Sequence, residues 1–118
     1  MARLVHFEIT GGDSAGLARF YAEQFGFVAS PSPFAPDYHL LAAEDGGASG
    51  AVMARRYRAQ PAILWFEVDD LDARLAAIVA AGGAAAGERA TIPGQGHVQY
   101  ATDPEGNTFG LKQPLPAP

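Results

Sequence analysis

The sequence predicts an α+β fold built from two copies of one βαβββ unit, and three observations lead to that prediction. Phe7-Glu8-Ile9 reappears 59 positions later as Phe66-Glu67-Val68. Each of these short apolar strands ends at an acidic turn and is followed by a run with helical spacing. Each helical run stops at glycine, first at Gly26 and then at Gly82-Gly83. A repeated supersecondary unit sets the architecture of a chain, and a cleft between two similar halves is a frequent site of small-molecule binding.

The first unit begins with a strand and a helix whose limits the sequence marks. Residues 4–9 carry valine, phenylalanine and isoleucine on one face, as in a strand with one buried side. Asp13 can cap the next helix, because its carboxylate can accept from the free amides of the first turn. Apolar positions then recur with helical spacing over 17–24. Gly26 is a suitable C-cap, since glycine tolerates a positive φ.

Three further strands complete the first unit and give it the order βαβββ. They are expected at residues 27–29, 38–43 and 51–57. Three prolines between the first two of these strands mark a loop, because proline lacks the amide that a sheet ladder needs. Gln60-Pro61 is the predicted hinge to the second unit.

The second unit repeats this order. Its strands are expected at residues 63–68, 84–92, 97–102 and 108–113, and its helix follows Asp69-Asp70. Asp103-Pro104-Glu105-Gly106-Asn107 is a dense turn signal before the last strand. We therefore expect one domain over residues 1–118, with units 1–59 and 61–114 and a mobile tail at 115–118.

Composition narrows the classes of function. The chain has 118 residues, 48% of them hydrophobic, a net charge of −5 and no cysteine. Nucleic-acid binding generally requires a basic surface, so no nucleic-acid partner is expected. Thiolate metal sites and disulfides are excluded. No export signal and no apolar run of about 20 residues is visible, so we expect a cytoplasmic protein without a membrane partner.

Three stretches of the sequence resemble the vicinal-oxygen-chelate superfamily, which includes glyoxalases, bleomycin-resistance proteins and extradiol dioxygenases. The first is His6-Phe7-Glu8-Ile9 with the helix that ends at Phe25-Gly26-Phe27. The second is Phe66-Glu67-Val68-Asp69-Asp70-Leu71, and the third is Asp103-Pro104-Glu105-Gly106-Asn107 running into Phe109-Gly110-Leu111. Their order and spacing over almost the whole chain are most similar to the small glyoxalase-like branch of that superfamily.

The resemblance implies that each unit forms a curved half-barrel with its helix outside, and that two units enclose a cleft. The units would pair within one chain or across a homodimer. Strand alternation then predicts which side chains line the cleft for a ligand. The candidate ligand-binding residues are His6, Glu8, Trp65, Glu67, Tyr100 and His39. Tyr38 is expected, with His39, at the rim.

The resemblance also raises the question of a metal. Metal-dependent relatives bind one divalent cation with His and Glu side chains on the first and fourth strands of each unit. Alignment by strand ends places those positions at Leu4, near Val52, at Ile63 and at Gly110, none of which can bind a metal. Gly110 is the clearest departure, because catalytic relatives usually carry Glu there. We therefore predict no cofactor and no superfamily metal site.

An improvised metal site is the alternative. Alignment by the helix places His6 on a ligand position, and Glu8 lies two residues away on the same strand face. Glu67 could supply a third ligand across the cleft, and catalytic zinc sites generally have three protein ligands. Glu8 and Glu67 could instead be structural carboxylates bonded to the backbone, or a pair that shares a proton.

The leading interpretation is a homodimeric small-molecule-binding protein of the glyoxalase and bleomycin-resistance fold that lacks the metal. In the sequestering version, as in bleomycin-resistance relatives, the acidic charge favours a cationic ligand. The alternative is a metal-dependent lyase or dioxygenase of the glyoxalase type with a non-standard ligand set. A third possibility is a structural module whose cleft is filled by Trp65, Tyr100 and Tyr38.

Overall fold

The computed structural model describes residues 2–116 and confirms the predicted α+β class. The described chain divides into two compact units. The N-terminal unit is His6–Ile63, and the C-terminal unit comprises the chain up to Val5 and from Leu64 onwards. Of the predicted tail, residues 117 and 118 lie outside the described part of the chain.

The N-terminal unit contains one helix and four strands in the predicted order. These elements are β1 (Arg3–Gly11, which belongs to this unit from His6 onwards), α1 (Ser14–Phe25), β2 (Val28–Pro31), β3 (Tyr38–Ala42) and β4 (Gly50–Ala54). Within this unit β4 pairs with β1 in parallel and with β3 antiparallel, and β2 pairs antiparallel with β3. Strand β4 therefore lies at the centre of the unit's sheet, which explains why all five of its residues are buried.

Helix α1 begins and ends at the residues that the sequence predicts. The Asp13 carboxylate accepts from the Gly16 amide at 3.0 Å, and Gly26 closes the helix with a φ of 80°. Ala18 of this helix is buried against Leu41 and Val52. Leu41 and Val52 thereby identify the helix-facing side of the sheet.

Strand β4 is shorter than predicted because the chain turns directly after Ala54. The Tyr57 amide donates to the Ala54 carbonyl at 3.0 Å, which closes a turn. The predicted strand of residues 51–57 is therefore wrong in its last three residues. Apolar and aromatic side chains in this stretch suit a strand and a turn equally well.

The C-terminal unit repeats the strand–helix opening. Its elements are β5 (Ala62–Glu67, which belongs to this unit from Leu64 onwards), α2 (Leu71–Ala80), β6 (Ala84–Ala85), β7 (Ala90–Ile92), β8 (Gly96–Thr102) and β9 (Thr108–Pro114). Strand β9 lies between β5 and β8, parallel to the first and antiparallel to the second. The hydrophobic core of the C-terminal unit comprises Val68, Leu71, Ala101 and Leu111, with Phe66 and Phe109 packed against them.

The predicted single strand over residues 84–92 is divided into two. Strands β6 and β7 both pair with β8, and the chain between them leaves the sheet at Gly87. Gly87 has a φ of 116°, which residues with a Cβ rarely adopt. Its carbonyl accepts from the side-chain amide of Gln99 at 3.0 Å. One glycine within a run of small residues therefore ends a strand that the apolar pattern alone would continue.

The helices are too short to span a bilayer. Helix α1 has 12 residues and α2 has 10, whereas a transmembrane helix needs about 20. Within residues 2–116, no helix is long and apolar enough to cross a membrane.

The turn before β9 is stabilised by one carboxylate. Asp103 Oδ1 accepts from the backbone amides of Glu105 at 2.9 Å and Asn107 at 3.0 Å. The Asn107 side-chain amide donates to Asp103 Oδ2 at 3.0 Å. These donors favour the charged carboxylate, and the side chain of Asn107 makes the largest contribution to a lowered pKa of Asp103.

Replacing Asn107 with alanine should raise the pKa of Asp103 towards its ordinary value. A folded-state pKa below the unfolded value stabilises the fold above the unfolded pKa, and this stabilisation is lost as pH falls through the folded pKa. The variant should therefore be less stable than the wild type at pH 7, and the difference should shrink in acid. Carboxylate NMR titration measures the pKa of Asp103. Urea unfolding at pH 7 and in acid measures the difference in the free energy of unfolding between the variant and the wild type. Glu105→Gln is the control, because Glu105 contributes its backbone amide.

Candidate functional site

Glu8 lies on the sheet face of the N-terminal unit that is turned away from α1. It pairs in register with Ala51 of β4, the neighbour of Val52, which faces the helix. Successive side chains of a strand point to opposite faces, so Glu8 and Ala51 share the other face. Glu8 is only 2% exposed. A carboxylate at this depth needs hydrogen-bond donors, because burial removes its water.

A hydrogen-bonded group of His6, Tyr38 and Glu8 supplies such a donor. The Tyr38 hydroxyl donates to Glu8 Oε2 at 2.6 Å. The oxygen of that hydroxyl also lies 3.1 Å from Nε2 of His6. Tyr38 is the first residue of β3 and pairs with Met53 of β4, so its side chain crosses the sheet face to reach β1. We call these three side chains the His6–Tyr38–Glu8 group.

Within this group His6 and Tyr38 are half-buried and Glu8 is buried. Bonds of this kind between charged and neutral partners are shorter and stronger than those between neutral partners. In the part of the chain that the structure describes, every buried side-chain nitrogen and oxygen has a hydrogen-bond partner. Removing the Tyr38 hydroxyl would take one hydrogen-bond donor from the buried carboxylate of Glu8, a loss that costs about 1–3 kcal/mol for a group left unsatisfied.

Thr10 continues the polar row of β1 two residues beyond Glu8. Its hydroxyl donates to the Gln60 carbonyl at 2.9 Å and accepts from Nε of Arg55 at 3.3 Å. Its backbone amide donates to the Pro61 carbonyl at 2.9 Å. The predicted hinge at Gln60-Pro61 is thus fastened to β1 by two hydrogen bonds.

The structure does not bring His39 to this group. His39 pairs in register with Val52 and lies two residues before Leu41 on β3, so it shares their sheet face. That face is the one that packs against α1. It therefore lies on the face opposite His6, Glu8 and Tyr38. Tyr38, expected at a rim or as a side chain that fills the cleft, contacts both His6 and Glu8. Successive side chains of a strand point to opposite faces, so only one of Tyr38 and His39 can share a face with His6 and Glu8.

A second candidate surface lies in the C-terminal unit, around Trp65. Trp65 is 7% exposed and pairs in register with Gly110, which in turn pairs with Tyr100. The ring centroids of Trp65 and Tyr100 are 4.8 Å apart, with planes inclined by 60°. The indole lies against Gly110, where a Cβ added to the glycine would clash with Trp65 Cδ2. An aromatic ring thus occupies the space that a side chain at position 110 would need.

Glu67 forms an ion pair with Arg3 in the same unit. Arg3 Nη2 lies 3.1 Å from Glu67 Oε1, and the two side chains are 73% and 23% exposed. An exposed pair of this kind contributes at most about 1 kcal/mol. Within the N-terminal unit, His6 and Glu8 contact Tyr38, and within the C-terminal unit, Trp65 packs against Tyr100.

The residues present do not fit the metal site that the fold family implies. The four positions expected to supply ligands carry hydrocarbon side chains or none: Leu4, Val52, Ile63 and Gly110. Within residues 2–116, no three His, Asp or Glu side chains gather closely enough to hold an ion. We therefore derive no chemical step through a metal.

Adding a methyl group at position 110 should destabilise the protein. Gly110→Ala forces its Cβ against the indole of Trp65, and overpacking of this kind costs about 1–3 kcal/mol. Urea unfolding followed by the fluorescence of Trp65, the single tryptophan, measures the loss. Gly12→Ala is the matched control, because nothing lies within 4 Å of its added Cβ. Equal stability of the two variants would show that Trp65 does not lie over Gly110.

The sequence matches a family model described as a glyoxalase-like domain over residues 7–111. It is also 42% identical over 53 residues to CFP32 of Mycobacterium bovis, a protein whose name carries the word glyoxylase. That alignment covers 45% of this chain and 20% of CFP32, so the match spans about a fifth of the curated relative. The same figures hold for CFP32 of Mycobacterium tuberculosis.

Similar solved structures cover nearly the whole chain. Methylmalonyl-CoA epimerase of Mycobacterium tuberculosis is 20% identical with a TM-score of 0.73, over 96% of this chain and 88% of the epimerase. The protein BH1468 of Bacillus halodurans is 11% identical with a TM-score of 0.73, over 99% and 97%. The Streptomyces coelicolor epimerase, in complex with 2-nitronate-propionyl-CoA, is 17% identical with a TM-score of 0.70, over 97% and 98%. At these identities the likeness establishes the fold alone.

Proposed function

Because this chain belongs to the glyoxalase-like domain family, within the vicinal-oxygen-chelate superfamily, we propose that it binds a small organic molecule. The binding surface is the sheet face of the N-terminal unit that carries the His6–Tyr38–Glu8 group. Binding requires no divalent metal. The observation that carries this proposal is the buried, hydrogen-bonded carboxylate of Glu8 on the face away from α1.

Ligand sites combine an apolar lining with a few convergent polar groups. Strand β4 places apolar side chains on this face, with Ala51 in register with Glu8 and Met53 in register with Tyr38, and both are buried. The polar groups converge on one oxygen, the Tyr38 hydroxyl, which lies within 3.1 Å of both neighbours. This arrangement supports recognition of a ligand by hydrogen bonding above an apolar floor.

Charge favours a ligand with a cationic group. Glu8 contributes a carboxylate at this surface, and the whole chain carries a net charge of −5. The guanidinium of Arg55, a residue that follows β4, is directed to β1. Its Nη2 donates to the Thr10 carbonyl oxygen at 3.0 Å. A ligand cation near Glu8 would be attracted by its carboxylate and by the net negative charge of the chain.

A metal-dependent lyase or dioxygenase with a non-standard ligand set is the competing proposal. It requires His6, Glu8 and Glu67 to hold one ion. Glu67 forms an ion pair with Arg3, and Tyr38 separates His6 from Glu8. These contacts favour the metal-free proposal.

We also propose that the protein acts as a cytoplasmic homodimer. Supporting this, the N-terminal unit exposes large apolar side chains on α1 and β2. Phe20 is 50% exposed, Phe25 66% and Val28 50%. Exposed apolar patches are typical of interaction surfaces. Sedimentation equilibrium of the wild type and of Phe25→Ser tests for a dimer that this surface forms.

Ligand binding is tested by thermal shift with a panel of cationic aromatic antibiotics, alongside acyl-CoA thioesters as a comparison set. A ligand at a hundredfold excess over its Kd stabilises the folded state by about 2.7 kcal/mol, which raises Tm by several degrees. We expect this rise in the wild type and its loss in Glu8→Gln and His6→Ala. Glu23→Gln on the exposed side of α1 is the control and should keep the rise.

Two results would contradict the proposal. An equal rise of Tm in Glu8→Gln and the wild type would remove this surface from binding. Elemental analysis that found about one tightly held ion per chain, after purification without metal resin, would favour the competing enzyme.

A further inference from the structure

The turn that follows β4, residues 54–57, contacts both strands that flank β4 in the N-terminal unit. We propose that this turn positions the Tyr38 hydroxyl against Glu8, and that Arg56 and Tyr57 are its positioning residues. This role rests on the proposed function, since it concerns the geometry of the same binding surface. It adds two residues outside that surface on which binding there depends.

The Tyr38 side chain has to reach along the sheet to meet Glu8. In the register of the sheet Tyr38 pairs with Met53, and Met53 pairs with Thr10, so these three residues form one row. Glu8 lies two positions before Thr10 on β1, which corresponds to about 7 Å along the strand. The Tyr38 hydroxyl nevertheless lies 2.6 Å from Glu8 Oε2. A small change in the backbone at Tyr38 is therefore carried to the hydroxyl at the far end of the ring.

The residue before Tyr38 has an unusual backbone conformation. Asp37 has a φ of 52°, in the left-handed region that residues with a Cβ seldom adopt, although aspartate adopts it more often than most. A conformation of this kind persists where the surrounding structure fixes it. The path of the chain into β3 therefore depends on the contacts that hold Asp37.

Three hydrogen bonds from the turn supply those contacts. The Ala54 amide donates to the Asp37 carbonyl at 2.9 Å. Arg56 Nη2 donates to Asp37 Oδ2 at 2.6 Å. The Tyr57 hydroxyl donates to the Pro36 carbonyl at 2.5 Å. The guanidinium carbon of Arg56 lies 5.0 Å from the ring centre of Tyr57, and this cation–π contact stabilises the two side chains against each other.

The same turn is also bonded to β1. The Arg55 amide donates to the Gly11 carbonyl at 3.0 Å, and Arg55 Nη2 donates to the Thr10 carbonyl at 3.0 Å. Nε of Arg55 donates to the Thr10 hydroxyl at 3.3 Å. The turn therefore joins the strand that carries Glu8 to the loop that precedes Tyr38. It holds the two ends of the distance that the hydrogen bond between these side chains spans.

The test removes both side-chain bonds of the turn and keeps its backbone bond. Arg56→Met combined with Tyr57→Phe deletes the two side-chain bonds to the loop between β2 and β3. The substitutions are combined because an exposed ion pair alone contributes little, and this one is 59% and 52% exposed. Imidazole NMR of His6 reports the position of the Tyr38 hydroxyl, which lies 3.1 Å from its Nε2.

We expect the His6 signals of the double variant to move towards those of Tyr38→Phe, which removes the hydroxyl itself. Tyr57→Phe alone retains the ion pair, should move the signals less, and is the variant to use if the double variant folds poorly. Arg89→Met is the matched control, because it removes another exposed arginine–aspartate pair, to Asp72, in the C-terminal unit. It should leave the His6 signals unchanged.

Binding provides a second readout. For a cationic aromatic antibiotic that raises the wild-type Tm, isothermal titration should show weaker binding to the double variant by about threefold to tenfold. That factor corresponds to the loss of one hydrogen bond of ordinary net strength. Arg89→Met should bind the same antibiotic as tightly as the wild type does.

Two results would overturn the role of the turn. One is a folded double variant whose His6 signals coincide with those of the wild type, even at a lower Tm, since a contribution to stability alone gives that result. The other is an equal movement of the His6 signals in Arg89→Met. A wild type that binds none of the antibiotics would instead contradict the proposed function, and the His6 signals would still test the turn.

Discussion

The buried carboxylate of Glu8 is the constraint on which the N-terminal unit depends. At 2% exposure it cannot be solvated, so the protein must supply a donor or accept a large penalty. The donor comes from Tyr38 at the start of β3, and Tyr38 is brought there by its pairing with Met53 of the central strand. The position of one carboxyl group thus determines the identity of a side chain two strands away and the orientation of the histidine beside it.

The two units show how a repeated fold can hold different chemistry at equivalent places. Position 6 carries histidine in a hydrogen-bonded polar group, whereas position 65, its counterpart 59 residues later, carries a buried tryptophan. The tryptophan requires a glycine beneath it, and Gly110 supplies the space. Backbone pairing is similar in both units, because the first strand of each unit pairs in parallel with its last strand, β1 with β4 and β5 with β9. The side chains above that pairing are free to diverge because each unit has its own core.

Much of the fold could be predicted from the sequence, because periodicity and caps act locally. Asp13 and Gly26 mark the ends of α1, and Asp70 accepts from the Ala73 amide at the start of α2. The division of the strand over 84–92 could not be predicted, since it depends on the backbone conformation of Gly87 within a run of small residues.

The candidate site could be predicted only in part. Strand alternation places His6 and Glu8 on one face, but the partner that joins them comes from a distant strand. A single sequence does not reveal such pairings, because they depend on the register between strands. The residue types alone favour His39 as a ligand-binding residue, whereas its neighbour Tyr38 is the residue that contacts His6 and Glu8.

The attachment of Gln60 and Pro61 to Thr10 has a consequence for the resistance of the chain to proteolysis. A segment between two repeats is ordinarily the place where a protease cuts, because exposed linkers adopt the extended form that fits an active site. Here the carbonyls of both linker residues accept hydrogen bonds from Thr10, which is itself 2% exposed. Cleavage would first require the edge of β1 to open locally, so susceptibility at this linker reports the local unfolding of the strand that carries Glu8.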